Sequence, residues 1–155
     1  MAVRMIPVIH NVSSYQRLND MARLVYALGL DVLVATKVYG GAAQSGVPEV
    51  TRMALKHGKS FVALPDLPDA VEVLKPDRVI IVSREHAAQT IDPGDLTVSE
   101  GTVMIVFNGG EPDFTRAEAS LGTPVYFRGL DERIGAIAEA GIILYAIRDA
   151  VKSRD

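Results

Sequence analysis

Cysteine and tryptophan are missing from this sequence, and the first absence excludes whole classes of protein. With no cysteine there is no disulfide scaffold, no thiolate metal site, no iron–sulfur ligation and no cysteine nucleophile. Long apolar runs are missing too. The C-terminal stretch from Ile134 to Ile147 carries Glu139 and ends at Arg148, short of the roughly eighteen uninterrupted apolar residues of a membrane span. The opening residues Met1 to Pro7 hold one basic residue and an apolar run too short for a secretory leader, so a cytoplasmic location and no membrane partner are expected. A basic surplus is also lacking: 16 Lys and Arg against 19 Asp and Glu leave a net charge of −3. That argues against indiscriminate nucleic-acid binding, while leaving room for a local basic patch.

What is present is 155 residues, 48% of them hydrophobic, enough for one sizeable core and too few for a second full domain. A single domain over residues 1–155 is expected. Apolar, β-branched runs of strand length alternate with segments of helical period, the pattern of an α/β domain with a mostly parallel sheet flanked by helices. Strands are expected at Ile6 to His10, Asp31 to Ala35, Ser60 to Leu64, Arg78 to Val82, Val103 to Phe107 and Pro124 to Phe127. Helices are expected at Tyr15 to Leu28, Pro48 to His57, Leu67 to Leu74, Thr115 to Leu121 and Asp131 to Lys152. Thr115 followed by Glu118 has the form of a capping box. Turn signals at Ile91-Asp92-Pro93-Gly94-Asp95 and Ser99-Glu100-Gly101 mark a surface excursion. The last helix is apolar on two sides, with Ile134, Ile137, Ala138, Gly141 and Tyr145 on one and Ile143, Ile147 and Val151 on the other. A homodimer through this helix is therefore expected.

Most chemical motifs fail on inspection. Gly41 and Gly46 have the glycine spacing of a phosphate loop, but Val47 and Pro48 stand where Lys and Ser/Thr are needed, which leaves a flexible strand-to-helix connection. His10, His57 and His86 are far apart and form no helical pair at ligand spacing, so no metal is assigned. No serine sits in a Gly-x-Ser-x-Gly elbow. A metal-dependent nuclease needs clustered carboxylates; Glu72 and Lys75 read as a solvated helix face, and a nuclease ranks low. The most informative stretch is Phe107 to Phe114, where a strand runs into Gly109-Gly110 and then a capped helix, because ligands of open α/β sheets sit at such strand ends.

Three stretches, in order, resemble the SPOUT superfamily of knotted RNA methyltransferases, nearest its branch acting on ribose 2′-hydroxyls. They are Asn11, Arg23 and Gly29 at the family's spacing, with Arg17 standing where the family has a second Asn, the strand and loop Val103 to Phe114, and Pro124 to Gly129 followed by the helix ending Ala140 to Tyr145. Glu111 lies one residue further from Phe107 than in the family, and the family's polar turn falls on Arg133 to Ile137, where its side chains are gone. The resemblance implies a C-terminal trefoil knot, a homodimer, S-adenosylmethionine as cofactor and a tRNA or rRNA substrate. It places the cofactor among Leu64, Pro65 and Asp66, Asn108, Gly109, Gly110 and Glu111, and Phe127, Arg128 and Gly129, over a floor of Ile134, Ala136 and Ala140. It also implies catalytic roles for Arg23 and Asn11 and RNA contacts from Arg17 and Arg23. The alternative, motivated by Gly135 in the turn, is a fold of this type that binds RNA or a small ligand without transferring methyl groups.

Overall fold

The computed structural model describes residues 3–96 and 101–152, which leaves Ser99 and Glu100 of the second turn signal outside the described residues. Seven strands, β1 (Val3–Val12), β2 (Val32–Val38), β3 (Ser60–Leu64), β4 (Arg78–Val82), β5 (Thr90–Ile91), β6 (Gly101–Asn108) and β7 (Thr123–Phe127), form one sheet in the order β3-β2-β1-β6-β4-β7-β5. Every pairing is parallel. Among the described residues, five α-helices pack around it: α1 (Tyr15–Ala27), α2 (Val47–Lys56), α3 (Leu67–Leu74), α4 (Arg116–Ala119) and α5 (Ala136–Lys152). None of the described helices is long and apolar enough to cross a membrane.

Central parallel strands are buried on both faces and so read as continuous apolar runs. In β1, Met5, Ile9 and Val12 join a core under α1, α2 and α5, while Ile6 and Val8 join a second core with Leu67 and Ala70 of α3 and Phe114. The chain runs outward through β2 and β3, then returns to the other side of β1 to build the rest of the sheet. The reversal falls between β1 and β6, and the crevice outside the carboxyl ends of those strands is where such sheets receive ligands. His10 of β1 and Asn108 of β6 are in register there.

The expected mostly parallel α/β architecture is observed, and β3, β4 and α3 have the expected bounds. The connection at Gly40 to Gly46 is more ordered than expected: Ala42–Gly46 is a π-helical turn running directly into α2. The last helix begins at Ala136 rather than Asp131, because Gly135 takes a left-handed conformation (φ 91°) that stops the helix from extending backwards. Ile143 and Ile147, expected to need a partner subunit, are covered within the one chain by the core that α5 shares with the sheet. On the last helix and its approach, the large apolar residues left open among those described are Ile134, Ile142 and Tyr145; the side chain of Val151 lies outside the described residues.

Candidate metal centre and adjoining arginine pocket

The carboxyl edge of the sheet carries unusual backbone. Asn11 (φ 64°) and Lys37 (φ 51°) are both left-handed non-glycine residues, and they lie side by side, since His10 pairs with Thr36 and Val12 with Val38. Such conformations are sparsely populated and persist where surrounding structure holds them. Here the amide of Tyr39 donates to the carbonyl of Val12, and that of Lys37 to the carbonyl of Pro65.

Just before this paired distortion, His10 projects from β1 toward α3 and α4. Its ring is buried, stacks on Phe114 with centroids 6.0 Å apart, and puts Nδ1 2.8 Å from Thr36 Oγ1 and Nε2 2.5 Å from Glu118 Oε2. Thr36 is itself fully buried on β2. Glu118 is positioned by the capping box of α4: its Oε1 accepts from the Thr115 amide at 2.8 Å while Thr115 Oγ1 accepts from the Glu118 amide at 3.1 Å. Partial burial pushes the Glu118 carboxyl up, but the Thr115 amide and His10 outweigh it and hold the group below its ordinary range. Asp66 arrives from the third side as the N-cap of α3, with Oδ1 accepting from the Leu67 amide at 2.8 Å. One ligand atom each from His10, Asp66 and Glu118 lie within 4.8 Å of one another. An imidazole nitrogen with two carboxylate oxygens is a donor set for Zn²⁺, which takes both donor types, or for the harder Mn²⁺, which the carboxylates suit. The Thr36 hydroxyl beside Nδ1 provides the outer hydrogen bond that fixes a ligand imidazole with Nε2 turned inward.

On the other face of the same edge, the loop after β6 is stapled by arginines. The Gly109 amide donates to the His10 carbonyl at 2.7 Å, and its own carbonyl accepts from Arg17 Nη1 at 2.5 Å. Arg133 Nη2 donates to the Gly110 carbonyl at 3.0 Å and Nη1 to the Glu111 carbonyl. Asn108 braces the turn from within, its Oδ1 accepting from the Gly110 amide at 3.1 Å. Arg17, Asn108, Gly110, Glu111, Arg133, Gly135 and Ala136 enclose a pocket of about 140 Å³.

The structure thus gathers Arg17, Asn108, Gly110, Glu111 and Ala136, with Gly109 in the same loop and Asn11 against Gly110. It separates Asp66, with Leu64 and Pro65 before it, onto the His10 side. Phe127 and Ala140 are core residues, Arg128 pairs with Asp92 at 3.3 Å, Gly129 is left-handed (φ 82°), and Ile134 is partly open. Arg23 is exposed and, among the described residues, pairs with Asp20, at 3.4 Å. His10, Thr36 and Glu118 were missed as a group. Their spacing carries no signal, because the group is assembled by strand pairing and by a helix distant in sequence.

The site and sheet define an α/β protein with a candidate divalent-metal centre at its topological switch point. Residues 40–146 match the family described as RecB-family nuclease (DUF2122), and the chain belongs to that family. It is 56% identical over 145 residues to a candidate type II restriction enzyme of Aeropyrum pernix, ApeKORF2002P, covering 94% of this chain and 93% of the relative. It is 30% identical over 138 residues to a second, MjaORF1200P of Methanocaldococcus jannaschii, covering 88% and 91%. Among solved structures it is similar to the SpoU methyltransferase AviRb of Streptomyces viridochromogenes in complex with AdoMet, with a TM-score of 0.76 at 16% identity. That match covers 97% of this chain and 61% of the other, and at such identity it shows the fold alone.

These relationships overturn the expectations drawn from the SPOUT resemblance. The family is the nuclease family, so the assignments as an RNA methyltransferase and of S-adenosylmethionine as its cofactor do not stand. The nuclease, ranked low for want of a carboxylate cluster, is the reading the sequence family supports. The assignment of no metal gives way to a candidate site at His10, Asp66 and Glu118. The physical reason is that strand order and glycine turns describe a scaffold, and one scaffold carries many chemistries. The pocket at the expected cofactor loops, about 140 Å³, is also below the roughly 300 Å³ at which small-molecule sites begin.

Proposed function

We propose that this protein is a metal-dependent nuclease that hydrolyses phosphodiester bonds of nucleic acid at the edge formed by His10, Asp66 and Glu118. The observation that carries the reading is the convergence of these three ligand atoms within 4.8 Å at the switch point, in a chain of a nuclease family. A divalent ion bound there supplies Lewis acidity toward a phosphoryl oxygen and a water of lowered pKa. The protein's own residues prepare the site: Thr36 orients the imidazole, Phe114 covers its face, and the Thr115 and Leu67 amides each occupy one carboxylate oxygen. Imidazole and carboxylate bind a cation in their deprotonated forms, so affinity falls as pH falls.

Two finer features belong to the same proposal. The C-terminal segment is threaded as a trefoil knot, a reading supported by the fold's likeness to the SpoU structure. Two copies pair through Ile134, Ala138, Ile142 and Tyr145, which share one side of the last helix and its approach and are exposed.

The test is incubation of purified protein with single- and double-stranded DNA and RNA in Mn²⁺, Mg²⁺ or Zn²⁺. Cleavage that EDTA and His10→Ala both abolish is expected. Failure to cut any of these substrates at protein excess, with ion binding confirmed by calorimetry, overturns the nuclease reading.

A further inference from the structure

Arg17 and Arg133 reach one loop from distant parts of the chain, the first from α1 and the second from the segment before α5. Both are half-buried, and among the described residues neither forms an ion pair. Glu139 feels the charge of Arg133. A guanidinium has five N–H donors; Arg17 gives one of its hydrogen bonds to Gly109, and Arg133 divides two between Gly110 and Glu111. The donors left over border a pocket of about 140 Å³. That is below the roughly 300 Å³ at which small-molecule sites begin, room for a small anion rather than for a nucleoside. The carbonyl contacts fix both cations before any ligand arrives, which lowers the entropy lost on binding.

We infer that the Arg17–Arg133 pocket is an anion site for one phosphodiester group of the nucleic-acid strand, lying across the sheet edge from the metal centre. The two sites are joined through Gly109, whose amide holds the His10 backbone and whose carbonyl holds Arg17. His10 faces the core containing Phe114 and α3, whereas Arg17 rides on α1 in the core of the opposite face. A strand gripped by the arginines therefore passes over the carboxyl ends of β1 and β6 to present another phosphate to His10, Asp66 and Glu118. This rests on the nuclease reading for the identity of the anion; the pocket's own chemistry does not. Glu111, exposed on the pocket's rim, is the carboxylate opposing an anion there.

The experiment uses the intact protein in EDTA, where no cleavage occurs, with inorganic phosphate as the first probe and short DNA and RNA oligonucleotides as the second. Titration is expected to show phosphate binding that Arg133→Gln weakens roughly tenfold, the value of one charged hydrogen bond, and that Glu111→Gln strengthens. Arg133→Gln should also lower the salt slope of oligonucleotide binding by about one unit, as loss of a single phosphate contact does. Arg17→Gln should act the same way; if it unfolds, Arg133→Gln and Glu111→Gln carry the test alone. Unchanged phosphate affinity and unchanged salt slope in folded variants show that the arginines are structural staples only, and overturn the inference. Phosphate binding that responds to these variants in a protein that cuts no nucleic acid with any ion supports the pocket and overturns the nuclease reading separately.

Discussion

His10 Nε2 lies 2.5 Å from Glu118 Oε2, tying the centre of the sheet to a one-turn helix across its carboxyl edge. Neither residue has another described ionic partner, and Asp66 completes the group from α3. A divalent ion that binds this triad stabilises the folded state by mass action, about 2.7 kcal/mol at roughly a hundredfold excess over Kd. Thermal unfolding with and without Mn²⁺ should show that gain in the wild type. His10→Ala and Asp66→Asn should lose most of it, and retention of the full shift in both variants would place the ion elsewhere.

Thr115 holds Glu118 from both ends of the capping box. Thr115→Ala removes the hydroxyl that accepts from the Glu118 amide and should cost about 1 kcal/mol of stability. Metal affinity should fall by less than about tenfold, because the residue-115 amide that holds Glu118 Oε1 survives the substitution. Denaturant unfolding and metal titration check the two effects separately.

Glu139 is buried on α5, and burial pushes its carboxyl pKa above the ordinary 4.5, with Tyr126 and Arg133 pulling partly the other way. A raised folded-state pKa means that the folded protein holds the proton more tightly than the unfolded chain. The stabilisation is then fully present below about pH 4.5 and is lost as pH rises through the folded value. Glu139→Gln, neutral at every pH, should raise stability at pH 8 relative to wild type and flatten this part of the pH dependence. Equal pH profiles for the two proteins would refute the assignment.

Gly110 packs where a Cβ would stand 2.5 Å from Asn11 Nδ2 and 3.1 Å from the Asn11 carbonyl. Gly110→Ala must displace Asn11 or the loop, at a cost of about 1–3 kcal/mol, and should widen or close the arginine pocket. A melting shift together with reduced phosphate affinity is the expected result.

Arg23 offers the contrasting case, because it is exposed and its partner among the described residues is Asp20, three residues earlier on the same helix. Arg23→Ala should change stability by less than about 0.5 kcal/mol and leave oligonucleotide binding within error. A large loss of binding would assign Arg23 to the nucleic-acid surface.

How the sequence relates to the fold is clear from particular elements. The apolar run within Ser60 to Leu64 and the β-branched run within Arg78 to Val82 fixed β3 and β4, and the apolar spacing of Leu18, Met21, Ala22 and Val25 fixed the buried face of α1, because burial periodicity is a local property of the chain. Thr115 and Glu118 announced the cap of α4 for the same reason. The tertiary structure alone decided that this capping glutamate also meets His10, that the N-cap Asp66 joins them, and that Arg17 rather than Arg23 reaches the loop after β6. Those relationships depend on which strands become neighbours and on which side of the sheet each crossover passes. Spacing along the chain holds no record of either, and here that undisclosed arrangement turned residues read as caps and core into a candidate catalytic edge.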